Sequence, residues 1–211
     1  MPFNEANELV YHDIKLSFPP YCFYDTILFD YRKAPVNNAS LFADLHYVHN
    51  MYTPVHKDFR ISLKLNRTVK KALLNKLCLV YINEEDEESV YYAGGKWEDG
   101  FLTARVRDLG IYSVGIDTLP PLVEPIRFRS GATLNDDSEL RIRIHDEFSG
   151  IDSYRALIDG KWALFEYDPK NSLLIYTPDK ERLEKGKKHK LQVRVSDNRD
   201  NESVLDLEFY Y

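Results

Sequence analysis

The segment Asp146–Asp168, DEFSGIDSYRALIDGKWALFEYD, decides how the chain reads. Its acidic residues, Ser-Gly pair and Gly-Lys-Trp suit either a catalytic or metal-binding cluster, or a run of strands with their turns. The flanks favour the second. DEFSGID joins an alternating run that ends at Ile144 to one that begins at Ile151. Gly reaches positive φ there, and Asp and Ser bond nearby backbone, which is what a turn needs. In LIDGKW the Asp159-Gly160 pair is the strongest short hairpin signal. The segment is read as a meander of strands.

The same grammar extends outward. ELRIRIH places Leu140, Ile142 and Ile144 on one face, KLQVRVSD does so with Leu191, Val193 and Val195, and SVLDLEFYY with Leu205, Leu207 and Phe209. Period-two alternation means one buried face and one wet face. With VEPIRFR and SLLIYTP this makes about seven short strands in about 90 residues, the count of an immunoglobulin-like sandwich. DKERLEKGKK invites a helical turn that Gly186 would stop. In the first half, FRISLKLN puts Phe59, Ile61, Leu63 and Leu65 on one face, and NRTVKKALLNK suggests one short helix. Pro120, Pro121 and Pro125 lie between the halves, and proline is excluded from central strands. The expected architecture is all-β: two tandem immunoglobulin-like β-sandwich domains, residues 1–118 with long loops and residues 119–211.

A hydrophobic share of 44% with 13% aromatic residues fits a folded, β-leaning chain. The net charge of −6 argues against sequence-independent nucleic-acid binding, which needs a clustered basic face. The runs KKALLNK and KGKKHK are too short for one and read as solvated. No stretch approaches the roughly 18 apolar residues of a membrane span. The opening MPFNEANELVYHD lacks the basic and apolar regions of a signal peptide. Cys22 and Cys78 are expected to be buried free thiols. No P-loop, Rossmann glycine pattern or G-x-S-x-G elbow occurs, so no cofactor and no serine nucleophile is expected.

Three groups remain as candidate sites. His46, His49 and His56 in LHYVHNMYTPVH suggest a metal site, and with it a metal-dependent enzyme. Asn50, Thr53 and Pro54 make the segment read instead as a loop whose histidines bond locally. Asp146, Glu147 and Asp152, joined by Asp197, Asn198, Asp200 and Asn201, offer oxygens for calcium, which takes about six to eight of them. The EF-hand spacing is absent, and solvated turns are the competing reading. Trp97 and Trp162 each follow Gly-Lys. An exposed indole can stack on a sugar ring, and a buried one caps a core. By size, Trp162 is expected to fill the core of the second sandwich, because an indole left in water forfeits about 1.5–3 kcal/mol of burial.

Four stretches taken together resemble a known family: HNMYTPVHKDFRISLK, YYAGGKWEDGFLTARVRDLGIYSVGIDTLPP, DEFSGIDSYRALIDGKWALFEYDPKNSLLIYT and HKLQVRVSDNRDNES. They are similar to the C-terminal region of exported lysostaphin-like zinc metallopeptidases, in which a catalytic domain precedes two β-sandwich modules. The resemblance spans nearly the whole chain. The family's catalytic zinc is held by an H-x3-D and an H-x-H motif. Neither occurs here, so no zinc ligand or catalytic residue carries over. The resemblance implies the periplasm or cell envelope of a Gram-negative bacterium, reached through a signal peptide not present in this chain. It also implies a parent protein that cleaves peptidoglycan cross-links. The expected role is a non-catalytic accessory region that positions substrate or docks a partner. Its expected partners are peptidoglycan or glycan and a catalytic peptidase domain of the same parent chain. A free-standing carbohydrate-binding or adhesion module is the alternative, and exposure of Trp97 and Trp162 separates the two. A catalytic zinc site needs three protein ligands and an open position. The chain alone is therefore expected to release no peptides from peptidoglycan, with or without added zinc. Zinc-dependent release in that assay would contradict the reading.

Overall fold

The computed structural model describes every residue except Glu84, Glu85, Glu87, Glu88 and Asp137. The chain forms two compact units, Met1–Asp117 and Thr118–Tyr211. Both are β-sandwiches.

The strands of the first unit are β1 (Asn7–Val10), β2 (Ile14–Phe18), β3 (Tyr31–Ala34), β4 (Leu45–Val48), β5 (Phe59–Leu63), β6 (Leu77–Ile82), β7 (Val90–Tyr92), β8 (Lys96–Glu98), β9 (Phe101–Val106) and β10 (Gly110–Ile116). One sheet runs β1-β2-β5-β9-β8 and the other β3-β4-β10-β6-β7. Alternation in β2 sends Ile14, Leu16 and Phe18 inward, and β5 adds Phe59, Ile61 and Leu63. They meet Leu77, Leu79, Tyr112 and Val114 of the facing sheet in one core. β10 is buried along nearly its whole length because the chain before β4 runs along it. Phe42 N–H donates to Val114 O at 2.7 Å, and Ser113 Oγ donates to Ala43 O at 2.8 Å. The expected helix is a 3-10 helix, Lys71–Lys76, with no buried residue to lengthen it. Tyr112 lies in the core, and its hydroxyl donates to Asp108 O just before the strand. That is the tyrosine corner of sandwich folds, a large ring whose polar tip is satisfied by backbone.

The second unit contains β11 (Leu122–Pro125), β12 (Ala132–Thr133), β13 (Leu140–His145), β14 (Ile151–Ile158), β15 (Lys161–Trp162), β16 (Glu166–Asp168), β17 (Leu173–Tyr176), β18 (Lys188–Asp197) and β19 (Glu202–Tyr210). Its sheets run β11-β13-β17-β16 and β12-β19-β18-β14-β15, with β12 parallel to β19. Leu140, Ile142 and Ile144 pack against Leu191, Val193 and Val195 as the alternation requires. Pro125 sits in β11, an edge strand, where a missing N–H is tolerated. The stretch before Gly186 makes one helical turn, Leu183 N–H to Asp179 O, and Gly186 ends it at φ 73°.

Gly110 opens β10 at φ 141°, with the Tyr81 ring lying over it. A Cβ there would stand 2.8 Å from Tyr81 Cε2. Gly110→Ala must push the ring aside, and overpacking of this kind costs about 1–3 kcal/mol. Chemical denaturation of the variant is expected to show that loss, and Tyr81→Ala in the same chain is expected to recover part of it.

Candidate functional site

Asp159 and Gly160 connect β14 to β15 with φ of 50° and 76°. Both values are positive, as a two-residue type I′ turn requires. Ile158 pairs Lys161 and Leu157 pairs Trp162. Directly paired residues share a face of the sheet. Ile158 is buried, so its neighbour Leu157 and the opposed Trp162 face away from the core. Ala163 and Phe165 then turn inward, at 7% and 1% exposure. The expectation that Trp162 fills the core is thus corrected: the indole is 55% exposed and Leu164 is 60% exposed. Parity imposed by the turn overrides the preference of a large ring for burial.

The segment after β17 forms a second wall beside Trp162. Arg182 Nη1 donates to Trp162 O at 3.1 Å. His189, buried on β18, lies with Nδ1 2.7 Å from Asp159 Oδ2 and Nε2 3.2 Å from Glu184 O. Asp159 Oδ1 also accepts from the Lys190 amide at 2.8 Å. Between these walls is a groove of about 1060 Å³. Trp162, Leu164 and Ile175 supply its apolar surface, and Glu166, Glu181 and Lys161 are among its charged residues. β15 and β16 are the terminal strands of their sheets, so the groove lies along the open side of this sandwich. Arg182 and His189 carried no signal in the sequence, and Asp159 was legible only as a turn residue, because the contacts that join the three are long-range. The outward Trp162 was signalled by the loop length of the Asp-Gly turn.

Trp97 lies on β8, before the Asp99-Gly100 turn to β9. It pairs Leu102, which is fully buried, and it packs half-buried against the first core. The two tryptophans of the twin motif therefore face opposite ways.

The histidines do not converge. His46 is fully buried on β4, with Nδ1 2.9 Å from Tyr31 Oη and, among the described residues, no hydrogen-bond partner at Nε2. His49 adopts φ 59°, stacks on Phe29, and its Nδ1 accepts from the Asp30 amide. His56 is exposed against the Tyr24 ring. No cluster of metal-ligating groups among the described residues includes any of the three. Of the calcium candidates, Asp146 has a carboxylate oxygen within 4.8 Å of one from Asp197. Both carboxylates serve their own turns. Asp146 Oδ1 accepts from the Phe148 and Gly150 amides, and Asp197 Oδ1 from the Arg199 and Asn201 amides. Glu147 and Asp152 are exposed and stand outside that pair. Asn198 links the two turns by donating to Ser149 O, and Asn201 donates to Asp197 Oδ2. Cys22 and Cys78 are both buried and are not joined to each other in a disulfide, and burial pushes the Cys22 thiol up.

Burial lowers the His46 pKa to about 4, although Asp13 and Asp44 pull the other way. The folded state therefore holds this imidazole neutral. Its contribution to stability is present above the unfolded value of about 6.5 and is lost as pH falls towards the folded value. Going from pH 7 to pH 5 is expected to cost about 2 kcal/mol of folding stability through this group. Denaturation curves at the two pH values check this, and His46→Gln is expected to remove most of the difference.

No curated protein matches the chain. Among solved structures it is similar to the fibronectin(III)-like modules of Clostridium thermocellum CbhA, at 15% identity and a TM-score of 0.33, covering 73% of this chain and 85% of that one. The family model of the Zu5-like domain matches residues 1–117, the first unit from end to end. The chain belongs to the Zu5-like domain family.

Proposed function

We propose that the chain is a non-catalytic binding module that holds a glycan strand, in the form of peptidoglycan, against the Trp162 groove. In this reading it serves a catalytic peptidase domain of the same parent chain, in the envelope of a Gram-negative bacterium. The exposed indole beside a groove carries the reading. A soluble domain gains by burying its large rings, so an indole left 55% exposed on a strand calls for an external partner. A saccharide has an apolar C–H face and a rim of hydroxyls. Trp162 and Leu164 suit the face, and the carboxylates of Glu166 and Glu181 accept from the rim. The resemblance in residue order to peptidase-associated β-modules supplies peptidoglycan as the glycan.

A free-standing carbohydrate-binding or adhesion module would use the same groove. The two readings differ in whether an H-x3-D and H-x-H pair is encoded upstream of Met1.

Trp162→Ala is expected to leave the melting temperature nearly unchanged, since exposed substitutions usually stay within about 0.5 kcal/mol. The same variant is expected to lose retention on insoluble peptidoglycan. A melt lowered by about 3–5 kcal/mol, the cost of deleting a core aromatic, would contradict the exposed placement of the ring. An unchanged pull-down would overturn the glycan reading.

A further inference from the structure

We infer that the glycan held in the Trp162 groove carries free amines in place of N-acetyl groups, so that the site takes a cationic saccharide. This rests on the groove being the glycan site of the proposed function, and it names the charge the ligand must bring. Exposure alternates along one wall: Trp162, Leu164 and Glu166 are exposed, while Ala163 and Phe165 are buried. The three exposed side chains line the groove across at most about 14 Å of chain. Among the described residues no cation lies over the indole and no other ring stacks on it. Its face is open to a ligand.

The charge balance selects the sign of the ligand. Five lining residues are acidic, Asp159, Glu166, Asp179, Glu181 and Glu184, against two fixed cations, Lys161 and Arg182. Three of the carboxylates are engaged within the fold. Asp159 meets His189 and the Lys190 amide, Asp179 meets Arg182 at 3.4 Å, and Glu184 meets Lys187. Arg182 is committed to Asp179 and to Trp162 O, and the Lys161 charge acts on Asp159. The carboxylates of Glu166 and Glu181 have no hydrogen bond or ion pair among the described residues. Arg141, in one cross-strand row with Ile175 and Glu166, bonds Glu139 through two nitrogens instead. An N-acetyl group brings a carbonyl that needs a donor, and these two carboxylates give none. A protonated amine brings donors and a charge, and over an indole the cation gains further from the negative face of the ring. A lysine-rich peptide brings the same charge on flexible stems, without the flat C–H face of a sugar ring.

The test titrates the full chain with β-1,4-linked glucosamine oligosaccharides and with N-acetylglucosamine oligosaccharides of the same length, in a buffer that keeps the amines protonated. Insoluble peptidoglycan, untreated and de-N-acetylated, is pulled down in parallel, and a lysine oligomer is the non-saccharide control. The glucosamine oligosaccharide is expected to bind about tenfold tighter than its N-acetylated counterpart, and to lose that advantage as salt rises. The double variant Glu166→Gln, Glu181→Gln is expected to bind the two alike, with an unshifted melting temperature because both side chains are exposed. Trp162→Ala is expected to weaken both. Equal or weaker binding of the free-amine oligosaccharide and peptidoglycan overturns the inference and leaves the groove reading standing. A preference for free amines that persists in the double variant also overturns it. A lysine oligomer that binds as tightly as the glucosamine oligosaccharide overturns it in favour of a basic peptide. A wild type that binds neither oligosaccharide and retains on neither peptidoglycan overturns both this inference and the groove reading.

Discussion

The parity of one two-residue turn decides which face of the second unit carries Trp162. Asp159 and Gly160 allow no residue between Ile158 and Lys161 other than themselves, so Leu157 must oppose Trp162. Ile158 belongs inside, and Trp162 is then committed to the outside. The Asp159 carboxylate reinforces the arrangement from the other flank of β14, reaching both the Lys190 amide and the His189 ring. One side chain thus ties the hairpin to β18 while it shapes one end of the groove. A slip by one residue would bury Trp162 and expose Ala163 and Phe165.

The first unit depends on a different kind of constraint, the satisfaction of polar groups inside a dense core. Tyr112 brings a hydroxyl into the core region and returns it to the backbone at Asp108. His46 brings an imidazole, gives one nitrogen to Tyr31, and finds no partner for the other among the described residues. The first device is satisfied at all ordinary pH, and burial pushes the phenol's pKa far up. The second holds only while the ring is neutral. A buried polar group without a partner is costly and grows costlier when charged. The same fold therefore contains one pH-insensitive polar anchor and one that weakens in acid.

The acidic turns spend carboxylate oxygens on their own backbone. Asp146 and Asp197 come close together, but each is already an acceptor for two amides of its own turn. Their position near each other follows from the Asn198 link between the turns. The Trp162 surface contrasts with this. Its ring is held outward by backbone geometry and is not consumed by the packing it sits on. Local structure that spends a group on itself differs from local structure that presents it.

The sequence by itself determined the all-β class, the inward faces of β5, β13, β18 and β19, and the Asp-Gly and Ser-Gly turns. These are local properties, set by period-two alternation and by the conformational range of glycine. The sequence also contained the turn that turns Trp162 outward, although ring size pointed the other way. Only the tertiary structure decided that His46, His49 and His56 part company, that Trp97 faces in, and that Arg182 and His189 wall a groove. Each of those depends on which strands become neighbours. Neighbours far apart in the chain are selected by the burial of whole faces, which no short stretch of residues encodes.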